Sequence, residues 1–156
     1  MISPLLIEVY IESFNFFTKL LADPFPHYAT ILQRDGFRAA VVDRSSLIKT
    51  LRRSSCLLSG QFIATSFGFG EEKLNVSMEN KDVGMLAEQL PLSEFLGEEL
   101  TVRFYAPYLL NGLQVFTDDT VRFSLKNNDK PIVFEAQNEL VSILYLVMPV
   151  SPTVTR

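Results

Sequence analysis

From Phe37 onward the apolar and polar positions fall into two similarly ordered halves, each reading strand, helix, strand, strand, strand. The first half opens with the apolar run Phe37 to Val42. Asp43 then stands as a helix N-cap before RSSLIKTLRRSSCLL, in which Leu47, Ile48, Leu51 and Leu58 share one helical face. FIATSFGF and KLNVSMEN follow as strands, the second alternating Leu74, Val76 and Met78 on one side. VGMLAEQLPL closes the half as a poorer strand candidate.

In the second half Leu100, Val102 and Phe104 alternate with Thr101, Arg103 and Tyr105. Pro107 suits the first turn of a helix over PYLLNGLQVF, with Leu109, Leu110, Leu113 and Phe116 as its apolar stripe around Gly112. TVRFSLK alternates again, NNDK signals a turn before PIVFEA, and VSILYLVMPV is a last strand interrupted by Pro149. Two such units can pair edges and place both helices on one face of the sheets, an α+β fold in two layers. Residues 1 to 36 lie outside the repeat. There IEVYIES is strand-like, FNFFTKLL is ambiguous, and the two prolines of DPFPHYATIL impose extended geometry.

Composition narrows the class. The chain has 156 residues, 47% of them hydrophobic, enough for one core. No apolar run reaches the roughly 18 to 20 residues that span a bilayer, and the acid-containing start lacks a basic leader; a soluble, cytoplasmic protein is expected. Cys56 is the single cysteine, which excludes an intrachain disulfide or cysteine metal cluster and fits a buried, inert thiol. His27, the one histidine, sits in an exposed-loop setting and excludes multi-histidine metal sites. GFGEE, from Gly68 to Glu72, lacks the third glycine and following helix of a phosphate loop, so a turn explains it better. No catalytic constellation, metal site or cofactor is expected, and the chain is read as a non-enzyme.

The net charge of −4 argues against a surface that grips nucleic acid everywhere. A local exception is the first helix, where Lys49, Arg52 and Arg53 project away from the apolar face, Arg44 stands at the start, and no acid interrupts. A one-signed face of this kind suits either solvent or a phosphate backbone bound without sequence preference.

DPFPHYATIL and the C-terminal LYLVMPV resemble the bacterial DNA polymerase III beta subunit, the beta sliding clamp, which has a Phe-Pro-x-Tyr connector into its third domain and a hydrophobic-Pro ending. RSSLIKTLRRSSCLLS, LTVRFYAPYLLNGLQVF and KPIVFEA follow in the family's order, and the resemblance covers about residues 12 to 150. It implies a DNA-clamp fold of two β-α-β-β-β repeats: residues 1–25 a remnant of the preceding domain and connector, 26–151 the C-terminal domain, 152–156 a tail.

The function implied is that of a processivity factor, which helps encircle duplex DNA and docks polymerase, clamp loader and repair proteins through short hydrophobic peptides. Arg44, Lys49, Arg52 and Arg53 then match positions facing the hole. Pro26, Tyr28, Thr30, Ile31, Pro131, Val147, Met148, Pro149 and Val150 match the peptide pocket, with Thr30 where the family often has a basic residue. Leu57 and Leu58 match an exposed contact to a neighbouring clamp subunit, a homodimeric ring being expected of a full-length chain. The competing expectations are a truncated, stand-alone interaction domain that binds partner peptides or another clamp without encircling DNA, and an unrelated small α/β enzyme. Size in solution separates the first two; a pocket joining two perturbed titratable groups would reveal the third.

Overall fold

A computed structural model describes residues 6–21, 23–25, 27–95, 98–137 and 142–150. The chain forms two compact units, Met1–Gln33 and Arg34–Arg156.

In the first unit the ambiguous FNFFTK segment is a strand. β1 (Leu6–Ile11) and β2 (Phe14–Lys19) form an antiparallel hairpin in the register Val9↔Phe16 and Ile11↔Phe14. Directly opposed residues share a face, so Ile7, Val9, Ile11, Phe14 and Phe16 make one apolar side. Each is 42–61% exposed. After the hairpin a short 3-10 turn, Tyr28–Thr30, is held by the Thr30 hydroxyl donating to the His27 carbonyl at 2.9 Å.

The second unit carries the repeat as β3 (Arg38–Asp43), α1 (Arg44–Cys56), β4 (Thr65–Phe69), β5 (Lys73–Asn80) and β6 (Gly84–Phe95). The second copy follows as β7 (Leu100–Phe104), α2 (Ala106–Leu113), β8 (Thr120–Leu125), β9 (Ile132–Gln137) and β10 (Ser142–Val147). The strands are antiparallel in the order β10-β9-β8-β3-β6-β5-β4-β7.

This order interlocks the halves. β3 pairs with β8 of the second half, and β7 pairs with β4 of the first. Two equivalent four-stranded blocks result, joined where β3 meets β6. The symmetry-related joint would bring β7 to β10, and there the Val150 amide donates to the Arg103 carbonyl at 2.7 Å.

β6 corrects the sequence reading, since the supposedly poor strand is the longest, at 12 residues. It pairs with β5 as far as Pro91 and with β3 from Leu92 onward, where the register shifts between Val41 and Val42. A proline removes one ladder donor, and Pro91 stands where the strand changes partner, so the loss is local.

The inward sides of the strands and both helices enclose one core. Phe67, Phe69, Val102, Phe104, Val121, Phe123 and Phe134 are all at most 2% exposed. α1 starts where Asp43 accepts from the Ser46 amide at 2.7 Å. It ends at Cys56, and the Asn80 side-chain amide donates to the Leu57 carbonyl at 2.6 Å, supplying a partner to a helix-end acceptor. Leu58 lies beyond the helix yet is 6% exposed. The expected exposed contact therefore fails for Leu58, whose side chain belongs to the core, while Leu57 is half-buried. Cys56 is exposed, contrary to the buried thiol expected, because it falls on the outward side of the last turn.

α2 is shorter than PYLLNGLQVF suggests. It closes at Leu113, and Phe116 reaches the core from the following turn at 2% exposure. Gly112 is explained by proximity: a Cβ there would lie 2.0 Å from Cε1 of Tyr145 on β10. The Tyr145 hydroxyl donates to the Tyr108 carbonyl of α2 at 2.7 Å.

Candidate nucleic-acid and peptide interfaces

The inward side of α1 is Leu47, Thr50, Leu51 and Ser54, all buried. Its buried hydroxyls are satisfied, Ser54 bonding Thr65 Oγ1 at 2.6 Å and Thr50 donating to Glu88 at 2.6 Å. The opposite side carries Ser45, Lys49, Arg52, Arg53 and Cys56, all exposed. α1 packs against α2, whose outward residues Tyr108 and Asn111 are uncharged. Asp43, the acid nearest the helix start, is held below the usual carboxylate range by hydrogen bonding to Ser46, with the Lys49 and Arg44 charges adding.

The four basic residues are not equivalent. Arg44 is half-buried, and its Nε donates to the Asp118 carbonyl at 2.7 Å, so its side chain is tethered. Lys49 and Arg52 have no carboxylate partner among the described residues. Arg53 departs from expectation. Its guanidinium clasps Glu88 of β6 at both oxygens, Nε to Oε1 at 2.5 Å and Nη2 to Oε2 at 2.6 Å. Hydrogen bonding from Arg53 holds Glu88 below its usual range, helped by Thr50 and against the opposing effect of burial. The sequence reading looked for acids only along the helix, and the neutralising acid comes from a strand. A signal was present: in Leu86, Glu88, Leu90 the acid occupies an inward position of an apolar alternation, which calls for a partner.

The pocket residues separate in the same way. Pro26 lies outside the described residues. In the first unit Tyr28 is 57% and Ile31 42% exposed, Thr30 is also exposed, and Phe25 packs edge-on to Tyr28 with ring centroids 5.8 Å apart. In the second unit Val147 is 4% exposed and faces inward opposite Ile132, and Pro131 is buried. Neither can offer a side chain to a ligand, which corrects both assignments. Pro149 and Val150 are half-buried, and Met148 is 59% exposed.

The outward side of β10 supplies what the sequence reading missed. Leu144 and Leu146 are exposed at 38% and 37%, in line with Met148, and Leu146 lies opposite Val133, itself fully buried. Period-two alternation through SILYLVM marks Leu144, Leu146 and Met148 as one side. Pro149 drew attention to the end of the strand instead.

Among the described residues no group of three or more His, Cys, Asp or Glu could hold a metal ion, and no helix is long and apolar enough to cross a membrane. In GFGEE, Gly68 and Phe69 end β4 and Gly70 to Glu72 make the β4–β5 turn, closed by the Gly70 amide donating to the Lys73 carbonyl at 2.9 Å.

The same fold occurs in solved structures. The DNA polymerase III subunit beta sliding clamp of Bartonella birtlesii, solved bound to griselimycin, superposes with a TM-score of 0.83 at 25% identity, over 96% of this chain and 40% of that one. The sliding clamp of Pseudomonas aeruginosa, solved with a ligand, gives a TM-score of 0.81 at 24% identity over 97% and 41%. Among curated relatives, the beta sliding clamp of Synechococcus elongatus is 30% identical over 135 residues, 85% of this chain and 36% of the relative. That of Pseudomonas aeruginosa is 30% identical over 137 residues, 87% and 36% respectively. The chain thus spans little more than a third of the length of the relatives it matches. A sequence model described as DNA polymerase III beta subunit, C-terminal domain, matches residues 29–151, and on that match the chain belongs to the DNA polymerase III beta subunit family.

Proposed function

We propose that the chain is a non-catalytic sliding-clamp module of the bacterial cytoplasm, which contributes one sector of a ring around duplex DNA and docks polymerase, clamp loader and repair proteins. The observation that carries the DNA contact is the outward side of α1. It bears Lys49 and Arg52, which have no carboxylate partner among the described residues, and no acid, in a chain of net charge −4. Contacts of this kind are to phosphates, without sequence preference and weakened by salt. Exchanging Lys49 and Arg52 for Glu should abolish low-salt association with duplex DNA in fluorescence anisotropy. Association at wild-type strength would refute the DNA-facing role of α1.

Peptide docking rests on exposed apolar side chains at two places, Tyr28 and Ile31 in the first unit and Leu144, Leu146 and Met148 in the second. Such side chains suit a short peptide with hydrophobic anchors. The hairpin fits the end of a preceding clamp domain, since two strands alone are marginal in water and its apolar side is half-exposed.

The same hairpin favours a second reading, a stand-alone interaction domain that attaches to another clamp without encircling DNA. Sedimentation of the full chain discriminates. A ring-forming module self-associates or joins clamp subunits on DNA, whereas a strict monomer that binds a clamp-type peptide supports the second reading.

A further inference from the structure

We propose that Glu88 sets how strongly the α1 side holds a nucleic-acid backbone, by withdrawing Arg53 from it. The inference rests on the reading that α1 faces DNA. The Arg53 guanidinium donates to both oxygens of Glu88 and, at 3.3 Å, to the Thr50 hydroxyl, and Thr50, one helical turn before Arg53, itself donates to the same carboxylate from a fully buried position. Glu88 is fixed on a central stretch of β6 between β5 partners, in the pair Val76↔Glu88. It is a planar clamp held by the sheet, and bidentate arginine–carboxylate pairs are among the strongest charge-assisted contacts.

Arg53 keeps a side-chain exposure of 53%, so it lies within reach of an approaching phosphate, yet its charge is already answered. Lys49 and Arg52 lack such partners among the described residues. The α1 side therefore offers fewer effective cations than its sequence displays. A ring that must slide along DNA is served by weak contacts, and an acid placed beneath one of three cations is a direct way to keep them weak.

The test uses the full chain, a short fluorescein-labelled linear duplex as probe, and the slope of log affinity against log salt. Glu88→Gln should steepen that slope by about 0.9, one phosphate contact, and tighten binding roughly tenfold at low salt. Arg53→Met, which leaves the half-buried Glu88 carboxylate without its guanidinium partner, should weaken binding. The double variant Arg53→Met with Glu88→Met removes the pair as a unit and should keep the wild-type slope. It also decides the matter if Glu88→Gln alone fails to fold. Lys49→Glu with Arg52→Glu reports separately on whether α1 meets DNA. If that variant loses binding while Glu88→Gln keeps the wild-type slope, the throttle is wrong and the DNA-facing reading stands. A slope shallower by one contact in the double variant shows that Arg53 already engages phosphate and overturns the proposal.

Discussion

Replacing Gly112 with alanine tests how α2 is seated against the sheet. In an exposed helix the exchange would stabilise by about 1 kcal/mol, because alanine is the better helix former. Here the new methyl would sit 2.0 Å from Cε1 and 2.1 Å from Cδ1 of Tyr145. Carbon atoms rest at about 3.5–4.0 Å, so the ring must retreat by roughly 1.5 Å. The ring is not free to do so cheaply, since its hydroxyl is bonded to the Tyr108 carbonyl at 2.7 Å and it packs near Phe134, centroids 6.5 Å apart.

Overpacking costs about 1–3 kcal/mol and the lost hydrogen bond about 1 kcal/mol. Set against the helical gain, the variant should be less stable by roughly 1–3 kcal/mol. Urea unfolding followed by far-UV circular dichroism measures this directly. The decisive comparison is the same exchange in a Tyr145→Ala background, where the clash is absent and Gly112→Ala should stabilise by up to about 1 kcal/mol. Equal effects in both backgrounds, or a single variant as stable as wild type, would refute close approach as the reason for the glycine.

Other outcomes follow from the same structure. Asp43→Ala removes the cap on α1 and should cost about 1 kcal/mol in chemical unfolding. The Glu88 carboxyl is held below its usual range in the folded chain, so its contribution is present above the unfolded pKa and is lost as pH falls through the folded one; Glu88→Gln should flatten the acid limb of a stability–pH curve. Val147→Ala, at an inward position, should lower stability by roughly 2–3 kcal/mol. Met148→Ala should leave unfolding nearly unchanged yet weaken binding of a clamp-type peptide in a competition assay, and the opposite pattern would refute the assignment of sides on β10.

Legibility from sequence followed the range of the interactions. Both β-α-β-β-β copies, the Asp43 cap and the place of Leu47 and Leu51 on the inward face of α1 were readable, because period and capping are set by neighbours a few residues apart; the buried Thr50 and Ser54 of that face were not. The long reach of β6 was not. Its Pro91 reads as a strand breaker until the partner change from β5 to β3 is known, and that change depends on two strands distant in sequence. At the end of β10 the sequence reading did not separate the two sides of the strand. Val147 was taken and Leu146 passed over, although a strand cannot present both to the same side.

The fate of Arg53 shows why charge on a helix cannot be counted along the helix alone. Residue spacing correctly places Lys49, Arg52 and Arg53 away from the apolar face. Whether each carries usable charge depends on what the sheet brings alongside, and here the interlock decides. β6 must span both four-stranded blocks to join them, and its inward row passes alongside α1. Most of that row is apolar and buried, as at Leu90 and Leu92. The one acid in it stands level with Thr50 and Arg53, so the strand that holds the two halves together also fixes the electrostatics of the helix above it. A substitution in β6 that shifted its register by one residue would turn Glu88 to the outer side, expose Arg53's charge and bury the neighbouring Ala87 or Gln89 in its place.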